Sequence, residues 1–95
     1  MSVVIIGGNE CMARRYVDIC KEYDCTAKVY AKMSGKMKKI GRPDLMILFT
    51  NTVSHKMVRL ALGDVSEHTI IERSHSSSAA ALKAILEVHT CQNKH

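Results

Sequence analysis

The sequence has no tryptophan, one phenylalanine and one proline, and only three tyrosines complete its aromatic set. A surface that stacks successive unpaired bases needs more rings than that, so recognition of single strands by stacking is disfavoured. No apolar run approaches the roughly 20 residues that span a bilayer. The opening MSVVIIGG has no basic leader and four apolar residues before its glycines, which is not the pattern of a signal peptide. The expectation is a cytoplasmic protein that does not enter a membrane. The four cysteines, at 11, 20, 25 and 91, form neither a C-x-x-C pair nor zinc-ribbon spacing. In a reducing compartment they stay free. G-x-G-x-x-G is also missing, and the second strand ends in Ala31 and Lys32 rather than in an acid for a ribose hydroxyl, which disfavours NAD.

Ninety-five residues, 46% of them apolar and 24% charged, make room for one globular domain. It is expected over residues 1–90, with 91–95 as a polar tail. The net charge of +5 favours anionic partners. Lys32, Lys36, Lys38, Lys39 and Arg42 crowd into AKMSGKMKKIGR, which carries two glycines and precedes the only proline, and this predicts a basic loop.

VVII at 3–6 and LMILF at 45–49 are wholly apolar, as strands buried on both faces are, while TAKVY at 26–30 and HTII at 68–71 are mixed. Asn9 can cap a helix whose inward stripe is Met12, Tyr16, Ile19, Cys20 and Tyr23. A second helix is expected over Val53–Leu62, with Val53, Met57, Leu60 and Ala61 inward and Gly63 stopping it. The last starts within the serines and puts Leu82, Ile85, Leu86 and His89 on one face. Strands alternating with helices predict an α/β fold: a small doubly wound parallel sheet of four strands in the order 2-1-3-4, flavodoxin-like or half-Rossmann. One crossover, between the second and third strands, lacks a clear helix. A missing layer would bare the sheet, and on that ground a homodimer is expected.

In such a sheet, ligands bind beyond the carboxyl ends of the strands, where the chain order reverses. The segments leaving those ends are GGNEC (7–11), AKMSG (31–35), TNTVSH (50–55) and RSHSSS (73–78), so the unusual stretches of the chain converge on one edge. Gly7, Gly8 and Asn9 form a turn into a helix, where glycine lets a ligand approach the backbone or simply supplies positive φ at one position. Ser76, Ser77 and Ser78 at a helix start, preceded by Arg73, exceed what one N-cap requires and suit an anion. Ser54 and His55 lie at the start of the second helix, where positive potential keeps imidazole neutral and able to ligate. Cys11, His55 and His75 approach one pocket from three loops, and cysteine with histidine suits a transition metal or haem iron. Each also has a plainer reading as a cap or a surface residue. Cys20, Cys25 and His89 are expected to be structural. Glu10 and Glu72 are the acids nearest a Cys11–His55 pair by location only, so no catalytic residue is assigned.

An apolar strand into GG, Tyr16 in the next helix, an apolar strand leading to Val53-Ser54-His55, and a strand into Arg73, Ser77 and Ser78 together resemble a family of small bacterial domains of unknown function. The similarity runs over roughly residues 3 to 88. It implies a compact Rossmann-like fold in which His55 and the serines matter together. Relatives often carry a histidine- and glycine-rich segment after the second strand, where this chain has Ala31-Lys32-Met33-Ser34-Gly35.

These patterns predict a non-enzymatic module that binds an anionic cofactor at the carboxyl edge of the sheet, with a transition metal or haem iron held by His55, Cys11 or His75. Redox chemistry, or the sensing or handling of a gas or metal, would follow. One alternative is an enzyme or sensor acting on a phosphorylated metabolite or nucleotide. Another is regulatory nucleic-acid binding through the basic loop 32–42.

Overall fold

A computed structural model of the chain describes residues 1–32, 40–63 and 65–90. Four strands, β1 (Ser2–Ile6), β2 (Thr26–Tyr30), β3 (Leu45–Phe49) and β4 (Ile70–Ser74), pair in parallel in the order β2-β1-β3-β4. The described helices are α1 (Ala13–Glu22), α2 (His55–Gly63) and α3 (Ala79–Thr90), with a single 3-10 turn at Glu10–Met12 ahead of α1. Fold class and strand order are those the sequence predicts.

The apolar strands are central because both their faces are covered. Val3, Ile5, Leu45, Ile47 and Phe49 pack under α1 and α3, while Val4, Ile6, Met46 and Leu48 pack under α2. Every residue of β3 is buried, whereas the edge strands β2 and β4 bury only part of each side chain row. Each fully buried Leu or Ile in these layers contributes about 1.5–3 kcal/mol. α1 turns into β2 through a Schellman motif: Asp24 adopts φ 59°, Cys25 N–H donates to Cys20 C=O (2.9 Å) and Asp24 N–H to Lys21 C=O (3.0 Å).

Three expectations shift. α2 begins at His55 rather than Val53, because Ser54 Oγ accepts the Met57 N–H at 3.2 Å and so caps the helix, which leaves Val53 in the turn before it. β4 covers Ile70–Ser74 rather than 68–71, because Thr69 is tied inward, its hydroxyl donating to Pro43 C=O at 2.6 Å, and pairing starts with Leu45 opposite Ile70. Val4 and Ile6, on the sheet face that the β2–β3 crossover spans, are 2% and 0% exposed within one chain, so a bare face is not what calls for a second copy. The described parts of that crossover are not helical; Lys36, Lys38, Lys39 and the tail 91–95 lie outside the described residues. No helix among the described residues is long and apolar enough to cross a membrane.

Candidate functional site

Parallel strands deliver every strand-to-helix connection to the same edge, and hydrogen bonds tie these connections together. Gly7 and Gly8 both take left-handed φ, 93° and 87°, where the sequence asked this of one. The turn is as close-packed as it is bent. A Cβ on Gly7 would collide with Val53 Cγ1 and stand 2.7 Å from Thr52 Oγ1, and one on Gly8 would stand 2.8 Å from the Tyr16 ring. Gly8 N–H donates to Thr52 Oγ1 at 2.7 Å, and that hydroxyl donates to Phe49 C=O at 3.0 Å. The β1 and β3 connections are thereby joined.

Tyr16 joins the third. Fully buried, its ring tilts against Phe49 with centroids 5.4 Å apart. Its hydroxyl accepts the Asn9 N–H at 3.3 Å and donates to Ser77 C=O at 2.6 Å. One buried oxygen therefore holds the glycine turn against the serine cluster.

Helix starts account for the polar residues. Asn9 Oδ1 accepts the Cys11 N–H at 2.9 Å, and Ser54 caps α2. Ser78 Oγ accepts the Ala81 N–H at 3.1 Å and the Ser76 hydroxyl at 3.0 Å, while the Ser74 hydroxyl donates to Ser76 C=O at 2.8 Å. The N–H groups of His55, Lys56, Ala79 and Ala80 and the hydroxyl of Ser77 have no partner among the described residues. Neither α2 nor α3 has an acid in its first turn. Two positive helix ends thus face the same edge with donors to spare.

The candidate ligands are spread more widely. His75 Nδ1 lies 3.1 Å from Thr50 Oγ1, beside the β3 exit, whose Thr50 N–H donates to Ser74 C=O at 2.8 Å. His55 and Cys11 are exposed at the starts of α2 and of the 3-10 turn. Among the described residues no three His, Cys, Asp or Glu side chains gather as a metal-holding group, so Cys11, His55 and His75 do not form one. Strand alternation puts Arg73, opposite Leu48, on the α2 side of the sheet, whereas the serines open α3 on the other side. Glu10 is held by Lys32 at 2.8 Å, and Glu72 by His89 at 3.0 Å, so both acids are engaged elsewhere than with Cys11 or His55. Burial, reinforced by the neighbouring Cys25, pushes the Cys20 thiol up to about 12, and burial also raises Cys25. Both are structural, as expected.

One protein-family model, described as "Uncharacterized protein conserved in bacteria (DUF2325)", matches residues 2–89. The chain belongs to this family. No curated protein and no solved structure matches it. The match takes in all four strands and nearly all of α3, and so includes the whole carboxyl edge of this DUF2325 chain.

Sequence reasoning missed two residues that build the edge. Tyr16 reads as one more member of an apolar stripe, and only its place in the family-like pattern singles it out. Thr52 reads as an ordinary turn residue. The signal available was position: Thr52 lies in the turn that follows β3 and Tyr16 in the first turn of α1, so both stand at the carboxyl edge of this DUF2325 chain, where a hydroxyl can reach a neighbouring connection.

Proposed function

We propose that this DUF2325 chain is a non-enzymatic binding module that holds an anionic cofactor at the carboxyl edge of its sheet. The observation that carries this reading is the tethering of three connections around Tyr16 and Thr52, with Asn9 N–H and Ser77 C=O on one hydroxyl and Gly8 N–H on the other. The free N–H groups at the starts of α2 and α3 and the Ser77 hydroxyl supply donors for acid or phosphate oxygens, and the helix dipoles favour the negative charge. Gly7 and Gly8 let Thr52, Val53 and Tyr16 close tightly on the turn, which fixes the spacing of the connections that carry the free donors. Arg73 borders the edge from the α2 side.

His55, with Cys11 or His75, would meet a metal carried by that cofactor. A metal held by protein ligands alone wants three or four close donors, and no such group gathers among the described residues. A haem iron asks for one or two, its macrocycle supplying the rest, and its propionates are the anions the free N–H groups suit. An enzyme acting on a phosphorylated metabolite would use the same donors. It would also want a partner that activates Cys11 or orients His55, and among the described residues neither side chain has a hydrogen-bond partner.

Thermal unfolding of the purified protein with haem, inorganic pyrophosphate and a nucleotide panel tests the reading. Stabilisation that Ser77→Ala and His55→Ala together remove is the expected result. A haem spectrum lost in His55→Ala would support the iron half, and a colourless, metal-free protein that haem does not alter removes it. No stabilisation by any of these anions removes the whole.

A further inference from the structure

The sheet separates charge. On the side carrying α1 and α3, the cations Arg14, Arg15, Lys21 and Lys83 are matched by the acids Asp18, Glu22, Glu72 and Glu87. On the other side Lys28 projects from β2 opposite Val4, Arg73 projects from β4 opposite Leu48, and Lys56 and Arg59 lie on α2, all exposed. No strand residue on that side and no residue of α2 is acidic; Asp44 and Glu67 sit in turns at the amino edge. The ion pairs among the described residues are Lys32 with Glu10 and His89 with Glu72, which leaves all four of these cations unpaired. The isolated fold gains nothing from this arrangement. Lys56 stands in the first turn of α2, where the helix dipole opposes a cation, and Arg59 lies one turn away with like charge.

We infer that the α2 side of the sheet is a docking surface for the phosphate backbone of a nucleic-acid duplex. The cations come from three elements and extend from β2 to β4, three strand spacings or about 14 Å. That width meets several phosphates of a duplex, which carries one charge for about every 1.7 Å of axis. Tyr16 and Phe49 are buried and the other rings are partly so, which leaves phosphate contact rather than base stacking as the mode. Among the described residues the exposed large apolar ones are Met1, Ile70 and Val88, none of them on α2, so no described residue of that helix offers an apolar anchor for an anionic membrane. The surface shares Lys56 and Arg73 with the cofactor edge, but it rests on side-chain charge rather than on the free N–H groups. Lys28 and Arg59 belong to it alone, so duplex binding and pyrophosphate-induced stabilisation can fail separately.

Fluorescence anisotropy of a short labelled DNA duplex, titrated with the full chain over a range of salt concentrations, decides it. Four phosphate contacts give a slope of log affinity against log salt of about −3 to −4, and Lys56→Glu with Arg59→Glu should reduce its magnitude by about 2 and weaken binding tenfold or more. Arg14→Glu with Arg15→Glu makes the same change in net charge on the opposite side and should leave affinity within about twofold. Lys28→Gln with Arg73→Gln, on separate elements, should weaken binding as well, and circular dichroism checks that each variant is folded. Equal weakening by the two glutamate pairs, no binding at low salt, or tighter binding to phosphatidylserine vesicles than to the duplex would overturn the inference.

Discussion

The hydroxyl of Tyr16 donates to the carbonyl oxygen of Ser77 at 2.6 Å, across 61 positions of chain. The same oxygen accepts the Asn9 N–H, so a single atom fixes the distance between the first and last connections of the sheet edge.

Tyr16→Phe keeps the ring against Phe49 and removes only that atom. It leaves one donor and one acceptor without their partner, and stability measured by urea unfolding should fall by about 1–3 kcal/mol. Ligand-induced stabilisation should fall too, since the edge loses its spacing. A variant as stable as the parent, with ligand response intact, would show that the contact is incidental.

Gly8 and Gly41 both take positive φ, 87° and 85°, but a Cβ on Gly8 would meet Tyr16 while one on Gly41 would meet nothing within 4 Å. Alanine at either site costs the backbone strain, roughly 1–3 kcal/mol. Gly8→Ala should cost clearly more, because the Tyr16 ring must move and its two hydrogen bonds with it. Equal melting temperatures for the two variants would contradict the close approach.

Cys20, held up to about 12 by burial, stays a neutral thiol in the folded chain well above its ordinary value of 9.0. In the unfolded chain it ionises near that ordinary value. The unfolded state therefore loses its proton first, and stability should decline as pH rises from about 9 towards 12 and be unaffected below that window. Cys20→Ala should flatten this alkaline decline. Thiol labelling of the native protein at neutral pH should find exposed Cys11 ahead of buried Cys20 and Cys25.

Much of this architecture is legible in the residues. VVII and LMILF could only be central strands, because both faces of each must be covered, and the mixed TAKVY had to lie at an edge. Asn9, Ser54 and Ser78 are the kinds of residue that cap helices; Ser54 and Ser78 cap α2 and α3, while Asn9 caps the 3-10 turn that leads into α1. Less legible were interactions set by tertiary approach. The contacts of Tyr16 with Ser77 and of Thr52 with Gly8 join residues far apart in sequence, so no local pattern announces them. His89 does complete an apolar stripe, yet its ring also reaches Glu72, because β4 runs on past its apolar residues to Ser74 and strand alternation puts that carboxylate, opposite Ile47, on the α3 side. Arg73 precedes the serines in sequence but is turned to the other side of the sheet by strand alternation, which a motif of spaced letters does not express.

Amide chemical shifts of the isotopically labelled protein, followed while pyrophosphate is added, test the central claim most directly. An anion held at the tethered edge should move the signals of Gly8, Asn9, His55, Lys56, Ser77, Ala79 and Ala80 together, along one saturable curve. Shifts scattered over the surface without saturation, or gathered on residues away from these three connections, would contradict it.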